Sequence, residues 1–388
     1  MLTIAVLKDT APGERRVALV PESVKKLTKM GAKILVQEGT GIEAGFTQKD
    51  YEDSGATIVS DYNQLMQEGN IFLKAQLVCL SDDENLKLID PLPEKSVIIG
   101  FMNPFKYFDN VEKLAAKGVT SLAMELVPRI SRAQRMDALS AMSSAAGYKA
   151  VVMAAASLNK FFPLMMTAAG TISPAKVLII GAGVAGLQAI ATAKRLGARV
   201  TVFDTRPVVK EQVESLGAEF VSLETTEEAE TVGGYAAEQS EDFYRHEQNI
   251  IAAHLTTTDV VIATAQIFGK RAPLLITEEM VASMRSGSVI VDLAAEAGGN
   301  CELTVAGKIV ERYGISIHGE TDLPGSLSYH ASEMYSRNVT ALLGEMIKDG
   351  ELVIDPEDDV VGGTLLTHEG KIMNEHVRNL LDRKREES

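Results

Sequence analysis

Tryptophan is absent from this chain of 388 residues, cysteine occurs twice and histidine six times. The two cysteines, Cys79 and Cys301, are far apart, which argues against a disulfide framework and fits a reducing compartment. Aromatic residues make up only 5%, whereas Met numbers 15, so the core must be aliphatic and soft. No histidine falls within the first 245 residues, so chemistry there proceeds without an imidazole. Basic residues are outnumbered, 38 against 53 acidic, giving a formal charge of −15. That balance argues against nucleic acid and against direct insertion into or binding of an anionic membrane. Residues 177–193 lack charge, but glycines crowd their first half, and a strand–turn–helix accounts for the run. Leu2–Lys8 has no basic region before it and no small-residue cleavage site, so it reads as a first strand rather than a signal peptide.

What is present is an ordinary globular composition, 46% hydrophobic and 23% charged, at a length that predicts two domains. Strand signals at Leu2–Leu7, Lys33–Gln37, Thr57–Val59, Ile71–Ala75, Ser96–Phe101 and Val119–Met124 alternate with helical patterns such as Pro21–Met30, stopped by Gly31. A long apolar helix is expected from about Met136 to Phe161. A second alternation follows, with strands at Lys176–Gly181, Arg199–Asp204, Asp259–Thr264 and Ser288–Leu293. Its helices are expected at Val184–Leu196 and Val208–Leu216. Helical patterns at Tyr329–Lys348 and Asn374–Lys384 have no third alternation beside them and are expected to complete the first domain. The expected fold class is α/β: two Rossmann-like domains with mostly parallel, doubly wound sheets, joined by long helices around a cleft. The first domain is expected at 1–133 with 329–388, and the second at 134–328. Residues 224–247, with eight acidic residues against Arg245 around Gly233-Gly234-Tyr235, are expected to begin as a loop within the second.

Gly181, Gly183 and Gly186 form G-x-G-x-x-G between Lys-Val-Leu-Ile-Ile and a helical pattern, the context a dinucleotide fingerprint requires. Gly181 allows the tight turn, Gly183 lets backbone approach a pyrophosphate, and Gly186 lets helix and strand pack closely. Val184 then opens a helix whose N-terminus faces the phosphates. Asp204 ends the next strand, 18 residues beyond Gly186, and a carboxylate there favours NAD(H) over NADP(H). Arg206 beside it is the competing signal for a 2′-phosphate. Upstream, Pro128–Asp137 packs a guanidinium (Arg129), an amide (Gln134) and a carboxylate (Asp137) into one segment, with the Ser140 hydroxyl just beyond. Residues 134, 137 and 140 would share one face if the segment is helical. The set holds a carboxamide and a phosphate well but offers no obvious general acid. No metal site is expected.

Taken together, the segments Arg129–Asp137, Gly147-Tyr148, Met165–Gly170, Gly181–Gly197, Lys210–Gly217, Gly233–Tyr235 and Asp292–Asn300 resemble the NAD(H)-binding component, domain I, of proton-translocating nicotinamide nucleotide transhydrogenase. The resemblance covers essentially the whole chain. It implies a Re/Si-specific hydride transfer between NADH held here and NADP+ held on a partner domain. It further implies a homodimer and coupling to proton translocation by membrane subunits. The chain is then expected to be a separate soluble subunit, cytoplasmic and peripheral on the inner membrane through those partners. Arg129, Gln134, Asp137 and Ser140 would form the nicotinamide side, with Gln134, Arg129 and Asp137 as the catalytic set. Gly181, Gly183, Val184, Gly186, Asp204 and Arg206 would meet the rest of the dinucleotide. Gln266 would lie near the adenine or its ribose, and Tyr235 on a mobile loop that closes over NAD(H). One departure is Ala141–Ala146, which lacks a Gln and an Asn of the family pattern.

Alanine dehydrogenase resembles the same architecture through Arg16–Glu22, and Lys74 matches its substrate lysine. Arg16 and Lys74 would then hold a 2-oxo acid. Reductive amination needs a group titrating near neutrality, and the position of that family's histidine falls near Phe101. Transfer between two nicotinamides needs no proton donor, only ring proximity without water. A non-catalytic NAD(H)-binding module is the third class.

Overall fold

The computed structural model describes residues 1–11, 13–77, 89–221, 241–266 and 270–387. The described residues divide into two compact units, Met1–Met142 with Pro324–Ser388, and Ser143–Leu323.

The first unit is built on strands β1 (Thr3–Val6), β2 (Lys33–Gln37), β3 (Thr57–Val59), β4 (Ile71–Gln76), β5 (Val97–Phe101) and β6 (Thr120–Ala123). They run parallel in the order β3-β2-β1-β4-β5-β6, with Thr3 beside Lys33 and Ile4 beside Ile71. The second unit opens with an antiparallel hairpin, β7 (Met165–Thr167) and β8 (Gly170–Ile172). Its sheet comprises β9 (Lys176–Ile180), β10 (Arg199–Phe203), β11 (Glu219–Val221), β12 (Val260–Ala263), β13 (Val289–Asp292), β14 (Ile309–Arg312) and β15 (Ile315–His318). The order is β11-β10-β9-β12-β13-β15-β14, parallel except for β14 at the edge. Within the returning C-terminal segment, β16 (Ile347–Lys348) pairs with β17 (Glu351–Leu352). There too, β18 (Leu365–His368) runs antiparallel on β6 and is followed by β19 (Lys371–Ile372).

Period-two alternation assigns the strand residues to two faces. In the first unit, Ile4, Val6, Ile34, Ile71 and Ile99 face a core closed by Tyr335, Val339 and Leu342 of the helix Ser328–Met346. Ala5, Leu35, Phe72 and Ile98 face the other, closed by Val111 and Leu114 and by Val377 and Leu381 of the terminal helix. The second unit repeats the scheme. Val177, Ile179, Val202 and Ile262 meet Ala189, Ile190 and Ala193 of the helix Val184–Arg195, and Leu178, Val261 and Ile290 meet Ile251 and Leu255. A sheet covered on both faces explains why its strands read as continuous apolar runs.

The linker helix runs Ala138–Ser157, inside the expected span. The unit division falls within it, at 142/143, and again at 323/324, rather than at 133/134 and 328/329. Ala133, Met136, Ala138 and Met142 explain the first difference, since all four are buried in the first unit's core.

Candidate functional site

The turn after β9 is shaped by its glycines. Gly181 takes φ +97°, and a Cβ there would stand 2.6 Å from Thr264 Oγ1. A Cβ on Gly186 would lie 1.9 Å from the Gly181 carbonyl oxygen, so any side chain would break the turn. Gly147 on the linker helix is equally confined, its Cβ position 2.1 Å from the Ala185 carbonyl oxygen. A Cβ added on Gly183, by contrast, would meet nothing within 4 Å among the described residues beyond its own chain neighbours. Open space over Gly183 leaves backbone accessible to a phosphate. The helix Val184–Arg195 begins there with no side chain capping its N–H groups.

Asp204 follows β10 and is buried. Oδ2 accepts from Ala182 N–H (2.6 Å) and Arg206 Nη2 (3.0 Å), and Oδ1 accepts from Arg206 N–H (2.8 Å) and Nε (3.0 Å). Those four bonds fill the roughly four acceptor positions of a carboxylate. Asp204 therefore holds the glycine turn and the Arg206 guanidinium. Gln266 lies two residues past Thr264, and its Nε2 donates to the Leu293 carbonyl at 2.9 Å, on the β13 side of β12. Asp204 stands at the end of β10, on the opposite side of β9. Tyr235, Gly233, Gly234 and most of the acidic loop lie outside the described residues, as does Cys79.

In the first unit, Arg129–Ser140 is not one helix. A 3-10 turn covers Ser131–Met136 and buries Ala133 and Met136. Asp137 then takes φ −68°, ψ 87°, outside helical values. Residues 134, 137 and 140 consequently share no single helical face. The Asp137 carboxylate accepts from Ser140 N–H (2.8 Å) and Oγ (2.6 Å), capping the linker helix. The signal was present as Asp-x-x-Ser before an apolar run. Two groups brace the turn from behind. Asn338 Nδ2 donates to the Arg135 carbonyl (2.9 Å), and Arg132 donates to both oxygens of Asp358 at 2.7 Å. The Arg132 hydrogen bonds hold the Asp358 carboxyl down at about 2. Arg129 and Gln134 are exposed, and the Gln134 amide has no partner among the described residues.

The first unit also holds a buried charged cluster. Arg16 meets Glu14 through Nε (2.8 Å) and Nη2 (2.5 Å), and Lys74 Nζ lies 3.9 Å from Asp9. Burial, opposed by Lys74, pushes the Asp9 carboxyl up to about 6. Glu125 accepts from Met102 N–H (2.8 Å) and Asn103 N–H, while its Oε2 is enclosed without a partner. Enclosure raises it to about 7 against those two hydrogen bonds. Phe101 packs on Tyr335, ring centroids 5.2 Å apart, and Tyr335 Oη donates to the Lys74 carbonyl. The absence of histidine therefore does not leave this region without groups titrating near neutrality; burial makes them from Asp9 and Glu125. Composition could not reveal that, because the shift arises from enclosure.

A groove of about 790 Å3 in the second unit lies at the other end of its sheet, beside Lys176 and Asp259 at the strand starts. Next to it, Phe161, Leu164, Met166 and Ile172 are exposed around the hairpin β7–β8. Among the described residues no group of three or more His, Cys, Asp or Glu could hold a metal, and no helix is long and apolar enough to cross a membrane.

Two doubly wound sheets, one with a glycine turn after its first strand, define the class of dinucleotide-fold α/β proteins. The chain belongs to the alanine dehydrogenase/PNT family, whose N-terminal domain matches residues 5–146 and whose C-terminal domain matches residues 150–375. It is 45% identical over 377 residues to the first part of the NAD(P) transhydrogenase alpha subunit of Rhodospirillum rubrum, covering 96% of this chain and 98% of that protein. The crystal structure of transhydrogenase from Sinorhizobium meliloti superposes with a TM-score of 0.83 at 37% identity, over 96% of this chain and 99% of that one. Alanine dehydrogenase of Bacillus subtilis is 30% identical over 356 residues, 87% of this chain and 84% of that protein.

Proposed function

We propose that this chain is the NAD(H)-binding component of a proton-translocating, Re/Si-specific NAD(P) transhydrogenase. A bound dihydronicotinamide supplies the hydride, and NADP+ on a partner domain receives it. The chain's own residues bind, orient and exclude water. Gly181, Gly183, Val184 and Gly186 take the pyrophosphate, with Asp204 and Arg206 toward the adenosine end. Arg129, Gln134, Asp137 and Ser140 take the nicotinamide side, with Gln266 on the β13 side of its sheet. The observation that carries this reading is the braced turn that leaves Gln134 exposed, its amide without a partner among the described residues. An amide donates and accepts at once, so it can hold a carboxamide and still face a second cofactor. The relative's name supports the assignment to this enzyme rather than to a dehydrogenase. The exposed apolar hairpin supports assembly as a homodimer. Partner subunits would hold it at the cytoplasmic face of the inner membrane.

The alternative, a dehydrogenase of 2-oxo acids, is favoured by Arg16, Lys74, Asp9 and Glu125 in one buried cluster. One experiment separates the two. The isolated chain should bind NADH and transfer nothing, and adding the NADP(H)-binding partner domain should switch on transfer from NADH to an NADP analogue. Oxidation of alanine with NAD and no partner would establish the dehydrogenase instead.

A further inference from the structure

Gln134 stands on a turn that the returning C-terminal segment fastens at three points. Gly363 packs on Pro128 so closely that a Cβ there would lie 3.2 Å from Cγ of the ring. Asn338 Nδ2 holds the Arg135 carbonyl at 2.9 Å. Between them in sequence, Arg132 Nη2 donates to Oδ1 and Oδ2 of Asp358, each at 2.7 Å. A second carboxylate, Glu345, lies 3.8 Å from Arg132 Nη1. Asp358 is itself fixed. Its Oδ1 also accepts from Val360 N–H (2.8 Å) and Val361 N–H (2.9 Å), where the chain enters the short helix Val361–Thr364. That helix runs straight into β18, the strand bonded to β6, so one carboxylate ties Arg132 to the sheet.

In a 3-10 turn three residues complete a revolution, so Arg132, Ala133 and Gln134 diverge by about a third of a turn each. Ala133 is sealed in the core, Gln134 is exposed, and Arg132 reaches the C-terminal segment. Burial of Ala133 sets the depth of the turn, and the grip on Arg132 sets its rotation. We propose that Asp358 is a positioning residue for hydride transfer, acting through Arg132 to set the direction in which Gln134 meets the nicotinamide. The assignment rests on the transhydrogenase reading above. Stability alone is a poor account of the pair. The Arg132 and Asp358 side chains are 46% and 25% exposed, and ion pairs so open to water add little to folding. Transfer between two rings, by contrast, depends steeply on placement.

The test is stopped-flow transfer from NADH to an NADP analogue over a series of partner-domain concentrations, beside NADH titration and thermal melting of the same variants. Asp358→Asn keeps a capping oxygen for Val360 and Val361 but loses the charge that holds the guanidinium. Transfer at saturating partner should slow on the order of tenfold. NADH affinity should stay within roughly a factor of two, and the melting midpoint close to that of the unmodified chain. Arg132→Met should slow transfer equally, and the double variant no further than either single one, because the two residues act on Gln134 as a unit. Asp358→Ser, which also caps, replaces the asparagine variant should that misfold. Four results overturn the Asp358 assignment alone: an unchanged rate, a loss of affinity matching the loss of rate, additive losses in the double variant, or a rate restored by more partner domain. Failure of the unmodified chain to transfer with its partner overturns the transhydrogenase reading, and the assignment with it.

Discussion

The two sheets share one strand order and part company at the same point, the loop after the first strand. In both, the parallel strands run third, second, first, fourth, fifth and then onward. After β9 the chain turns at once through Gly181, Gly183 and Gly186 into a helix whose first N–H groups are uncapped. After β1 it instead lays down Asp9, Glu14 and Arg16, whose side chains are buried, with Asp9 beside Lys74 and Glu14 beside Arg16. Identical topology thus delivers an open backbone in one unit and a charge-balanced cluster in the other. The fold sets where a site can be, and a few residues decide what it is.

The strongest way to break this contrast is to swap burdens between the loops. Gly186→Ala places a Cβ where only 1.9 Å separates it from a carbonyl oxygen. NADH affinity should fall on the order of 100-fold or more, since backbone must shift at the turn. Arg16→Met should instead leave NADH affinity nearly unchanged. It should lower stability by about 3–5 kcal/mol, because Glu14 is left buried without its partner. Denaturant unfolding beside NADH titration reads both quantities. Equal losses of binding in the two variants would erase the distinction between the loops.

A smaller effect sharpens the comparison through pH. Asp9, Glu125 and Glu247 sit at about 6, 7 and 8, all raised chiefly by burial, two in the first unit and one in the second. Their ordinary unfolded values are roughly 4. Between those limits the native state binds more protons than the unfolded one, so stability falls as pH rises from about 4 to 8. Asp358, held at about 2 by Arg132, has the opposite sign, and its contribution is lost only as pH drops below about 4. The melting midpoint should therefore be higher at pH 5.5 than at pH 8.5, by roughly 5 °C. Glu125→Gln should flatten the part of that decline below pH 7. A midpoint that rises toward pH 8.5 would show that these carboxyls are not protonated in the native chain.

Much of this was legible beforehand, and the failures have physical causes. Lys33–Gln37 and Thr57–Val59 match their expected spans, the first because a strand buried at Ile34, Leu35 and Val36 writes a continuous apolar run. β18 has no comparable local signal, since its place is set by long-range bonds such as Ser121 Oγ to Thr367 Oγ1 at 2.7 Å. The Gln134–Ser140 spacing invited a helical face, but Asp137 caps a helix more readily than it continues one. Glu125 was not legible, because nothing local announces that Met102 and Asn103 will enclose it.

The central claim is that Gln134 positions a nicotinamide rather than merely holding it. Gln134→Asn withdraws the amide by one methylene and keeps its hydrogen-bonding groups. NADH affinity, read by fluorescence titration, should stay within a factor of a few, about 1 kcal/mol or less. Hydride transfer to the NADP analogue on the partner domain, read by stopped flow, should slow on the order of 100-fold. A variant that loses affinity and rate in equal proportion would contradict the account and reduce Gln134 to a binding contact.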